Sequence, residues 1–324
     1  MTVLNGPPLR GGQLKEQAAS REGVLLGVLA VEIIVLAQLS PYFLTVTNLL
    51  DTSRYFVESG LIALGMTFVI ITGGIDLSVG GGLALASVCL GFGYQAGIPL
   101  PLAIAGAVVV GTAGGALNGV LVTRWDVHPI AITIATQALF RGIAYAITNA
   151  NAVSTFPHWF NYFGQYYLGA VPGQLLVFVV AAVALAIVLH RGRLGRYVHG
   201  IGVNDEAALF SGVPVKRTKV TVYALTGLLV GVAAVIYTSR VSTARADAGL
   251  GLELAVIAAV VLGGASINGG LGSILGTVLG VVIIAVLQQG LLLTTLNSNW
   301  IPVITGGLML AGVFVNEFFR RREE

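Results

Sequence analysis

The chain has 324 residues, of which 56% are hydrophobic and only 10% are charged. Soluble domains carry about 25% charged residues, so this composition excludes a water-soluble fold and indicates a protein that is embedded in lipid. The net charge of +3 does not indicate nucleic-acid binding, because the basic residues cluster in short loops and at the termini. The single cysteine, Cys89, allows no internal disulfide and no cysteine metal cluster.

The polar N-terminal segment, residues 1–22, precedes an apolar run from Gly23 to Leu39. This run could be a cleaved signal peptide, but Glu32 interrupts it and no small-residue cleavage site clearly follows. We therefore predict a retained first span with a cytoplasmic tail at 1–22.

Apolar runs of the length that a spanning helix needs, about 20 residues, predict ten transmembrane helices. The predicted spans are 23–40, 55–73, 78–96, 99–122, 129–148, 171–190, 220–239, 252–265, 271–293 and 300–318. The sequence therefore predicts an all-α polytopic membrane protein with one transmembrane domain, 23–318, and a second tail at 319–324.

The distribution of basic residues predicts the orientation of these spans. Arg124, the basic loop 191–219 and the arginines at 320–322 are expected on the cytoplasmic side of the membrane, together with both termini. The loop 149–170 contains no Lys, Arg, Asp or Glu and is rich in aromatic residues, which is typical of an outer interfacial segment. Its aromatic side chains could instead contact a ligand-delivery protein.

Two glycine-rich segments resemble each other and indicate an internal duplication. VIITGGIDLSVGGGL (69–83) aligns with VVLGGASINGGLGS (260–273), and HPIAIT (128–133) resembles IPVITG (301–306). The first alignment places Gly73 and Gly74 on Gly263 and Gly264. Glycine-interrupted apolar segments in matching halves are typical of a transport pathway, so we predict helix breaks at these four glycines.

The motifs of several enzymes are missing. No GxxxxGK[ST] sequence occurs, so the chain cannot hold ATP in a P-loop, and the four histidines lack metal-site spacing. Gly264-Ala265-Ser266 is similar to the nucleophile motif of an intramembrane protease, but no histidine follows position 199 to act as its base. The sequence therefore predicts no catalytic residues, no metal site and no bound cofactor.

Polar residues inside the apolar runs are the candidates for contact with a solute. They are Asp76, Asn118, Gln137, Gln288 and Gln289. A charge at membrane depth is costly and usually functional, but Asp76 could equally cap the helix that begins near Ser78. The amides could equally form hydrogen bonds between helices.

The segment 192–219 is polar and basic, and it contains the pattern of a short helix. Asn204 or Asp205 can cap the first free N–H groups, Glu206 suits the helix N-terminus, and Gly212 ends the helix before Pro214. We interpret the segment as a cytoplasmic docking helix, with Glu206 at its start and a compact contact face formed by Ala207, Ala208 and Leu209. An ordinary basic inner loop is the alternative.

Four motifs, in order, resemble the permease subunits of ABC sugar importers of the ribose, xylose and galactose type, a group related to the branched-chain amino acid permeases. They are TGGIDLSVG (72–80), ALNGVLVTRWDVHP (116–129), GRYVHGIGVNDEAALFSGVPVKR (195–217) and LELAVIAAVVLGGASINGGLGSILGT (252–277). The resemblance covers roughly residues 25–318. The Gln-Gln-Gly-Leu run and STARADAG are more similar to permeases for rhamnose or autoinducer-2.

This resemblance implies a pair of permeases, identical or mixed, that binds two ATPase subunits and receives solute from a periplasmic sugar-binding protein. It implies that the segment around Asp205–Val213 is the coupling helix, and that ATP is bound by the partner chain. The rival hypothesis is an ion-coupled secondary transporter, which would need intramembrane carboxylates. Only Asp76 is a good candidate for that role.

Overall fold

The computed structural model describes residues 11–125, 127–169, 171–294 and six positions between 300 and 310. Its helices are α1 (Gly11–Leu39), α2 (Val46–Ile71), α3 (Val79–Gln95), α4 (Leu100–Arg124), α5 (Pro129–Thr148), α6 (His158–Gln165), α7 (Gly173–Arg191), α8 (Arg193–Val203), α9 (Asp205–Phe210), α10 (Val215–Val241), α11 (Leu252–Leu262) and α12 (Ile274–Leu292). One antiparallel pair of short strands, β1 (Tyr167–Leu168) and β2 (Val171–Pro172), lies between α6 and α7.

Seven of the described helices are long and apolar enough to cross a membrane, which confirms an all-α, multi-pass membrane protein. They are α1, α2, α4, α5, α7, α10 and α12. The predicted total of ten is not confirmed. The predicted spans 78–96 and 252–265 are the shorter helices α3 and α11, because a glycine-rich break begins or ends each of them. The predicted span 300–318 lies mostly outside the described residues.

The closest helix pair is α4 against α10, and glycines on both helices allow it. A Cβ on Gly111 would lie 2.5 Å from the carbonyl oxygen of Gly227 and 2.7 Å from the nitrogen of Gly231. Gly115, one turn further along α4, is equally tight against α10. Small residues let helix backbones approach in membranes, where van der Waals packing stabilises the pair.

Helix α2 lies at the centre of the bundle, buried along most of its length, and packs against α7, α10, α11 and α12. Two hydroxyl pairs join helices that are distant in sequence. Thr67 on α2 lies 2.7 Å from Thr277 on α12, and Ser87 on α3 lies 2.7 Å from Thr238 on α10. Hydroxyl groups buried in lipid-facing proteins are best satisfied by such pairs.

The segment 191–219 is two helices rather than a loop. Helix α8 buries Gly195, Val198 and Ile201 against the bundle, an amphipathic pattern that sequence reasoning missed. The cap of α9 is Asn204, whose side chain accepts the N–H of Ala207 at 2.8 Å. Gly212, at φ +81°, ends that turn before α10 begins.

Helix α10 connects two opposite ends of the molecule. Near its start, Lys219 forms an ion pair with Asp205 of α9 at 3.4 Å. Near its end, the hydroxyl of Ser239 accepts the N–H of Gly164 on α6 at 2.6 Å. The aromatic segment that contains α6 therefore lies at the end of the bundle opposite to α8 and α9.

Candidate functional site

The first glycine break follows α2 and is a helix end with two characteristic backbone hydrogen bonds. Thr72 caps the helix, and Gly73 adopts the left-handed conformation at φ +76°. The N–H of Gly73 donates to the carbonyl of Ile70 at 2.9 Å, and that of Gly74 donates to Val69 at 3.0 Å. This is the Schellman motif, which favours glycine because a side chain at positive φ is strained.

The second break follows α11 and repeats the same geometry. Gly263 caps the helix and Gly264 adopts φ +91°. The N–H of Gly264 donates to the carbonyl of Val261 at 2.9 Å, and that of Ala265 donates to Val260 at 3.2 Å. Both halves of the chain therefore end a buried helix in the same way.

This shared motif corrects the sequence alignment by one residue. The sequence pattern places Gly73 and Gly74 on Gly263 and Gly264, but the backbone matches Gly73 with Gly264 and Gly74 with Ala265. The alignment was wrong because it paired identical letters, whereas the repeated feature is one left-handed residue. The second pair of similar segments, 128–133 and 301–306, lies partly outside the described residues.

Gly263 and Gly74 have no left-handed backbone, but each lies in a tight contact. A Cβ on Gly263 would lie 2.5 Å from the carbonyl carbon of Gly276 and 2.7 Å from the nitrogen of Thr277, both in the backbone of α12. A Cβ on Gly74 would lie 2.8 Å from the hydroxyl oxygen of Tyr223. All four predicted break glycines thus have a local geometric reason to be glycine.

The two breaks contact each other and also α8. The N–H of Gly270, in the second break, donates to the carbonyl of Ile71 at the end of α2 at 2.9 Å. The carbonyl oxygen of Gly270 lies 3.0 Å from Nδ1 of His199 on α8. A Cβ on Gly269 would lie 3.0 Å from the nitrogen of Gly73. Both breaks and the segment that bears the predicted docking helix are therefore in direct contact.

A buried polar cluster lies at the start of α3. Asp76 is 2% exposed, and its Oδ1 accepts the N–H of Ser78 at 2.9 Å and the Ser78 hydroxyl at 2.7 Å. Asn118 donates to the Ser78 Oγ at 2.7 Å and more weakly to Asp76 at 3.4 Å. The Asn118 Oδ1 and the hydroxyl of Tyr223 are buried and have no hydrogen-bond partner in the described part of the chain. Asp76 thus caps the turn before α3, and a direct contact with solute stays a prediction.

Gln137 joins the same helix start from α5, because its Oε1 accepts the N–H of Gly81 at 2.6 Å. A cavity of about 240 Å³ opens beside this cluster, with Asp76, Ser78, Gly82 and Phe140 in its wall. The structure therefore brings together three of the five predicted pathway residues: Asp76, Asn118 and Gln137.

Gln288 and Gln289 lie in a different place, between α2, α11 and α12. They line a cavity of about 460 Å³ whose other polar groups are the hydroxyls of Tyr55 and Ser59. The side chain of Gln289 donates to Oδ1 of Asn48 at 3.2 Å, so this amide also forms a hydrogen bond between helices. None of the described residues that line this cavity carries a charge.

Sequence reasoning missed two charged residues inside the bundle, Arg141 on α5 and Glu253 on α11. Arg141 is only 9% exposed, and its Nη1 donates to the carbonyls of Ala246 at 2.8 Å and Ala248 at 2.5 Å. Within the part of the chain that the structure describes, its Nε and Nη2 and the Oε2 of Glu253 are buried without a hydrogen-bond partner. The available signal was a lone arginine inside the predicted span 129–148.

Four other charged residues form two ion pairs near the C-terminal end of α10. Arg240 contacts the buried Glu58 at 2.7 Å, and the exposed Arg245 contacts Asp247 at 2.5 Å.

The exposed surface of α8 and α9 differs from the predicted contact face. Ala208 is buried against its own chain, because α9 packs on α8 and α10. Three of the exposed side chains are large and apolar: Val203 is 78% exposed, Leu209 is 59% exposed and Phe210 is 88% exposed. We call these three residues the apolar docking patch. Phe210 was missed because a six-residue helix is too short for its faces to be assigned from sequence periodicity.

Comparison with known proteins identifies related permeases. A family model described as "Branched-chain amino acid transport system / permease component" matches residues 48–313. The chain is similar to the ribose import permease protein RbsC of Bacillus subtilis (strain 168), with 41% identity over 296 residues that cover 91% of this chain and 92% of that protein. It is also similar to the autoinducer 2 import system permease protein LsrD of Escherichia coli O9:H4 (strain HS), with 36% identity over 298 residues and 90% of each chain covered.

Proposed function

The chain belongs to the branched-chain amino acid transport system / permease component family, and we propose that it moves a small sugar or sugar-like solute into the cell. It is the permease subunit of an ABC importer and not itself an enzyme. Such permeases work with ABC ATPase subunits and solute-binding proteins. We assign ATP binding and hydrolysis to that ATPase, and we expect a second permease subunit, identical or different, beside this one.

The observation that carries the sugar assignment is the uncharged cavity between α2, α11 and α12. Its wall offers an aromatic ring from Tyr55, a hydroxyl from Ser59 and amides from Gln288 and Gln289. Amides and hydroxyls both donate and accept hydrogen bonds, as a sugar hydroxyl does, and an aromatic face suits the apolar face of a sugar ring. Since none of the described lining residues is charged, an amino acid would bring two charges into this cavity with no counter-charge among them, which is costly. Two relatives import ribose and autoinducer-2.

The direct test is uptake by the complete transporter, reconstituted in liposomes with its ATPase and solute-binding protein. We expect ATP-dependent import of at least one of D-ribose, L-rhamnose and autoinducer-2, and no import of L-leucine. Import of leucine with none of the three sugar-like solutes would contradict the proposal and favour the amino-acid substrate for which the family is named.

The proposed mechanism is alternating access driven by the partner ATPase. Closure of the ATPase would move α8 and α9, and the contacts of Gly270 with Ile71 and His199 would carry that movement to both glycine breaks. Asp76 lies in the first break, and Asn118 and Gln137 lie beside it. We propose that these three residues line the part of the solute pathway that is nearest to the cytoplasm. Gln288 and Gln289 would line its outer part.

We propose that the apolar docking patch binds the ATPase, flanked by the exposed acidic pair Asp205 and Glu206. Three apolar side chains exposed together on a soluble surface are typical of a protein interface. The predicted docking segment, Asp205 through Gly212, thus keeps its proposed role. Of the predicted contact face, Ala207 and Leu209 are exposed and keep the proposed role, Ala208 is buried and loses it, and Phe210 is added.

Replacing Phe210 with Asp tests this interface. An unpaired charge in a buried contact costs several kcal/mol, so the permease should lose its ATPase by orders of magnitude while its own fold survives. The measurement is retention of the ATPase by a tagged permease. Phe163→Asp on α6, at the other end of the bundle, is the matched control and should retain the ATPase. Equal retention by both variants would show that the patch is not the docking site.

We further propose that the protein lies in the inner membrane, with residues 1–22, 191–219 and 319–324 cytoplasmic and 149–170 outside. The opposite placement of α9 and α6 along α10 supports this orientation. Cysteine labelling can test this orientation. Lys216 and Ser154 are exposed and can be labelled, whereas the neighbouring Thr218 is buried. In a Cys89→Ala background, an impermeant thiol reagent should label Lys216→Cys only after the membrane is opened and Ser154→Cys before. The reverse pattern would overturn the orientation.

A further inference from the structure

Arg141 is a buried cation whose hydrogen bonds are incomplete. The side chain is 9% exposed, and its Nη1 donates hydrogen bonds to the carbonyls of Ala246 and Ala248. Nε and Nη2 are buried and have no partner among the described residues. A guanidinium inside a membrane protein normally pairs with a carboxylate or with a ligand, because an unsatisfied buried charge is strongly unfavourable. The two free nitrogens therefore indicate a missing partner.

Glu253 faces Arg141 across Gly80 but does not contact it. A Cβ built on Gly80 would lie 3.5 Å from Arg141 Nη2 and closer still to Glu253 Oε2, so these two atoms are no more than about 6 Å apart. Glu253 Oε2 is buried and also has no hydrogen-bond partner among the described residues. A side chain at position 80 would enter the gap between the two groups, which the start of α3 and the carbonyl oxygen of Gly249 border.

The distance between the two groups favours one kind of occupant. A single oxygen with a hydrogen bond of about 2.8 Å on each side spans about 5.6 Å. A hydroxyl can accept from the guanidinium and donate to the carboxylate at the same time, so one hydroxyl satisfies both. A zwitterionic amino acid could also pair with both charges, but its carboxylate and ammonium with their hydrogen bonds span roughly 8 to 9 Å. That length exceeds the gap.

We propose that Arg141 and Glu253 hold one hydroxyl group of the solute between them, at the first turn of α3. This inference rests on the proposed import of a sugar-like solute and names the residues that recognise it. The same pair would reject solutes with a single charge, because an anion would meet Glu253 and a cation would meet Arg141. Gly80 is required because a Cβ would occupy the position of the hydroxyl.

The test uses the complete transporter in liposomes with D-ribose and its 2-, 3- and 5-deoxy analogues, each at a concentration that saturates the solute-binding protein. The variants are Arg141→Gln, Arg141→Lys, Glu253→Gln and Gly80→Ala. Arg245→Gln is the matched control, since Arg245 is exposed and pairs with Asp247 outside this cluster. Membrane level, ATPase retention and basal ATP hydrolysis are measured for each variant, and the readout is solute imported per ATP hydrolysed.

We expect the wild-type protein to import one deoxy analogue about 10- to 100-fold less efficiently than ribose, the effect of losing a hydrogen bond to charged groups. Arg141→Gln and Glu253→Gln should reduce ribose import by a similar factor, and loss of that same hydroxyl should then have little further effect. Arg141→Lys should recover part of the import because it keeps the charge. The Arg245→Gln control should match the wild type.

The inference would be overturned if the substitution and every deoxy analogue reduced import by independent factors that multiply. That result would show that Arg141 and Glu253 stabilise the protein but do not bind a hydroxyl of the solute. Normal ribose import by Arg141→Gln would overturn it as well. Wild-type import of L-leucine instead of any sugar would instead reject the proposed function, so the two failures are distinguishable from the wild-type measurement alone.

Discussion

The breaks after α2 and α11 begin with the same backbone motif and then diverge. After Gly73, the first break reaches α3 within six residues, and its interior is the polar cluster of Asp76, Ser78 and Asn118. After Gly264, the second break takes ten residues to reach α12, and backbone contacts of Gly270 hold it. A duplicated helix end thus supports a polar cluster in one half and a contact with α8 in the other.

The difference extends to what each break contacts. The first lies against side chains of α4, α5 and α10, including Tyr223 and Gln137. At Gly263 and Gly269 the second lies against backbone atoms, namely those of α12, of Gly73 and of Gly202 on α8, whereas Gly270 and Gly272 meet side chains. Side chains can rotate to accommodate a change, whereas backbone atoms cannot move without moving a helix. Substitutions in the second break should therefore be less tolerated.

The largest expected effect is that of Gly263→Val. Its Cβ would collide with backbone atoms of Gly276 and Thr277, so α11 and α12 must separate, at a cost of about 3 kcal/mol or more. The matched change in the first break is Gly74→Val, whose Cβ meets the movable hydroxyl of Tyr223. We expect Gly263→Val to lower the unfolding temperature in detergent far more than Gly74→Val, and Gly74→Val to insert normally but to impair uptake. Equal destabilisation would contradict the distinction between backbone and side-chain contacts.

An intermediate effect is expected at the side chains that accept backbone N–H groups where each break meets the next helix. Asp76→Ala would leave the N–H and the hydroxyl of Ser78 without their acceptor, a loss of about 2 to 3 kcal/mol. Ser273→Ala removes the acceptor of the Gly276 N–H at the start of α12, a loss of about 1 kcal/mol. Thermal unfolding of the two purified variants measures the difference.

Asp76→Asn separates the two roles of Asp76, because it keeps an acceptor for the Ser78 N–H but removes the charge. Restored stability with lost uptake would favour contact with the solute. Restored stability with normal uptake would show that Asp76 only accepts the Ser78 N–H. The polar cluster would then stabilise the fold without contacting the solute.

The smallest loss of stability is expected for a matched pair of alanine substitutions, which also tests the repeat most directly. Gly73→Ala and Gly264→Ala both place a side chain at positive φ, which costs about 1 to 2 kcal/mol, and neither new Cβ would clash. The two variants should therefore lose the same stability, within a few tenths of a kcal/mol. A clearly larger loss for one of them would show that the two breaks are not equivalent even in their shared motif.

Much of the fold could be predicted because its signals are local. Apolar run length predicts the spanning helices, Asn204 predicts the start of α9, and glycine pairs predict where α2 and α11 end. The boundaries were less accurate: α2 begins at Val46 rather than at 55, because Thr45 caps it and its first turns are only moderately apolar. The amphipathic helix α8 was missed because only three of its residues are buried.

The candidate site was predicted in part. Asp76, Asn118 and Gln137 lie in one cluster, whereas Gln288 and Gln289 line a different cavity. The sequence around these five residues does not indicate which of the two places each one occupies. Arg141 and Glu253 are 112 residues apart, and only the descent of residues 244–253 along α3 brings them to the same glycine.

By itself, the sequence determined a membrane protein, its span-length helices, the glycines that interrupt them and the basic segment between α7 and α10. These follow from composition and short-range pattern, since lipid requires apolar runs and a left-handed turn requires glycine. Only the tertiary structure decided that Gly73 corresponds to Gly264, that Ala208 faces inward while Phe210 faces outward, and that Arg141 and Glu253 lie opposite each other. These depend on helix rotation and depth, which packing between distant segments sets and which no local pattern records.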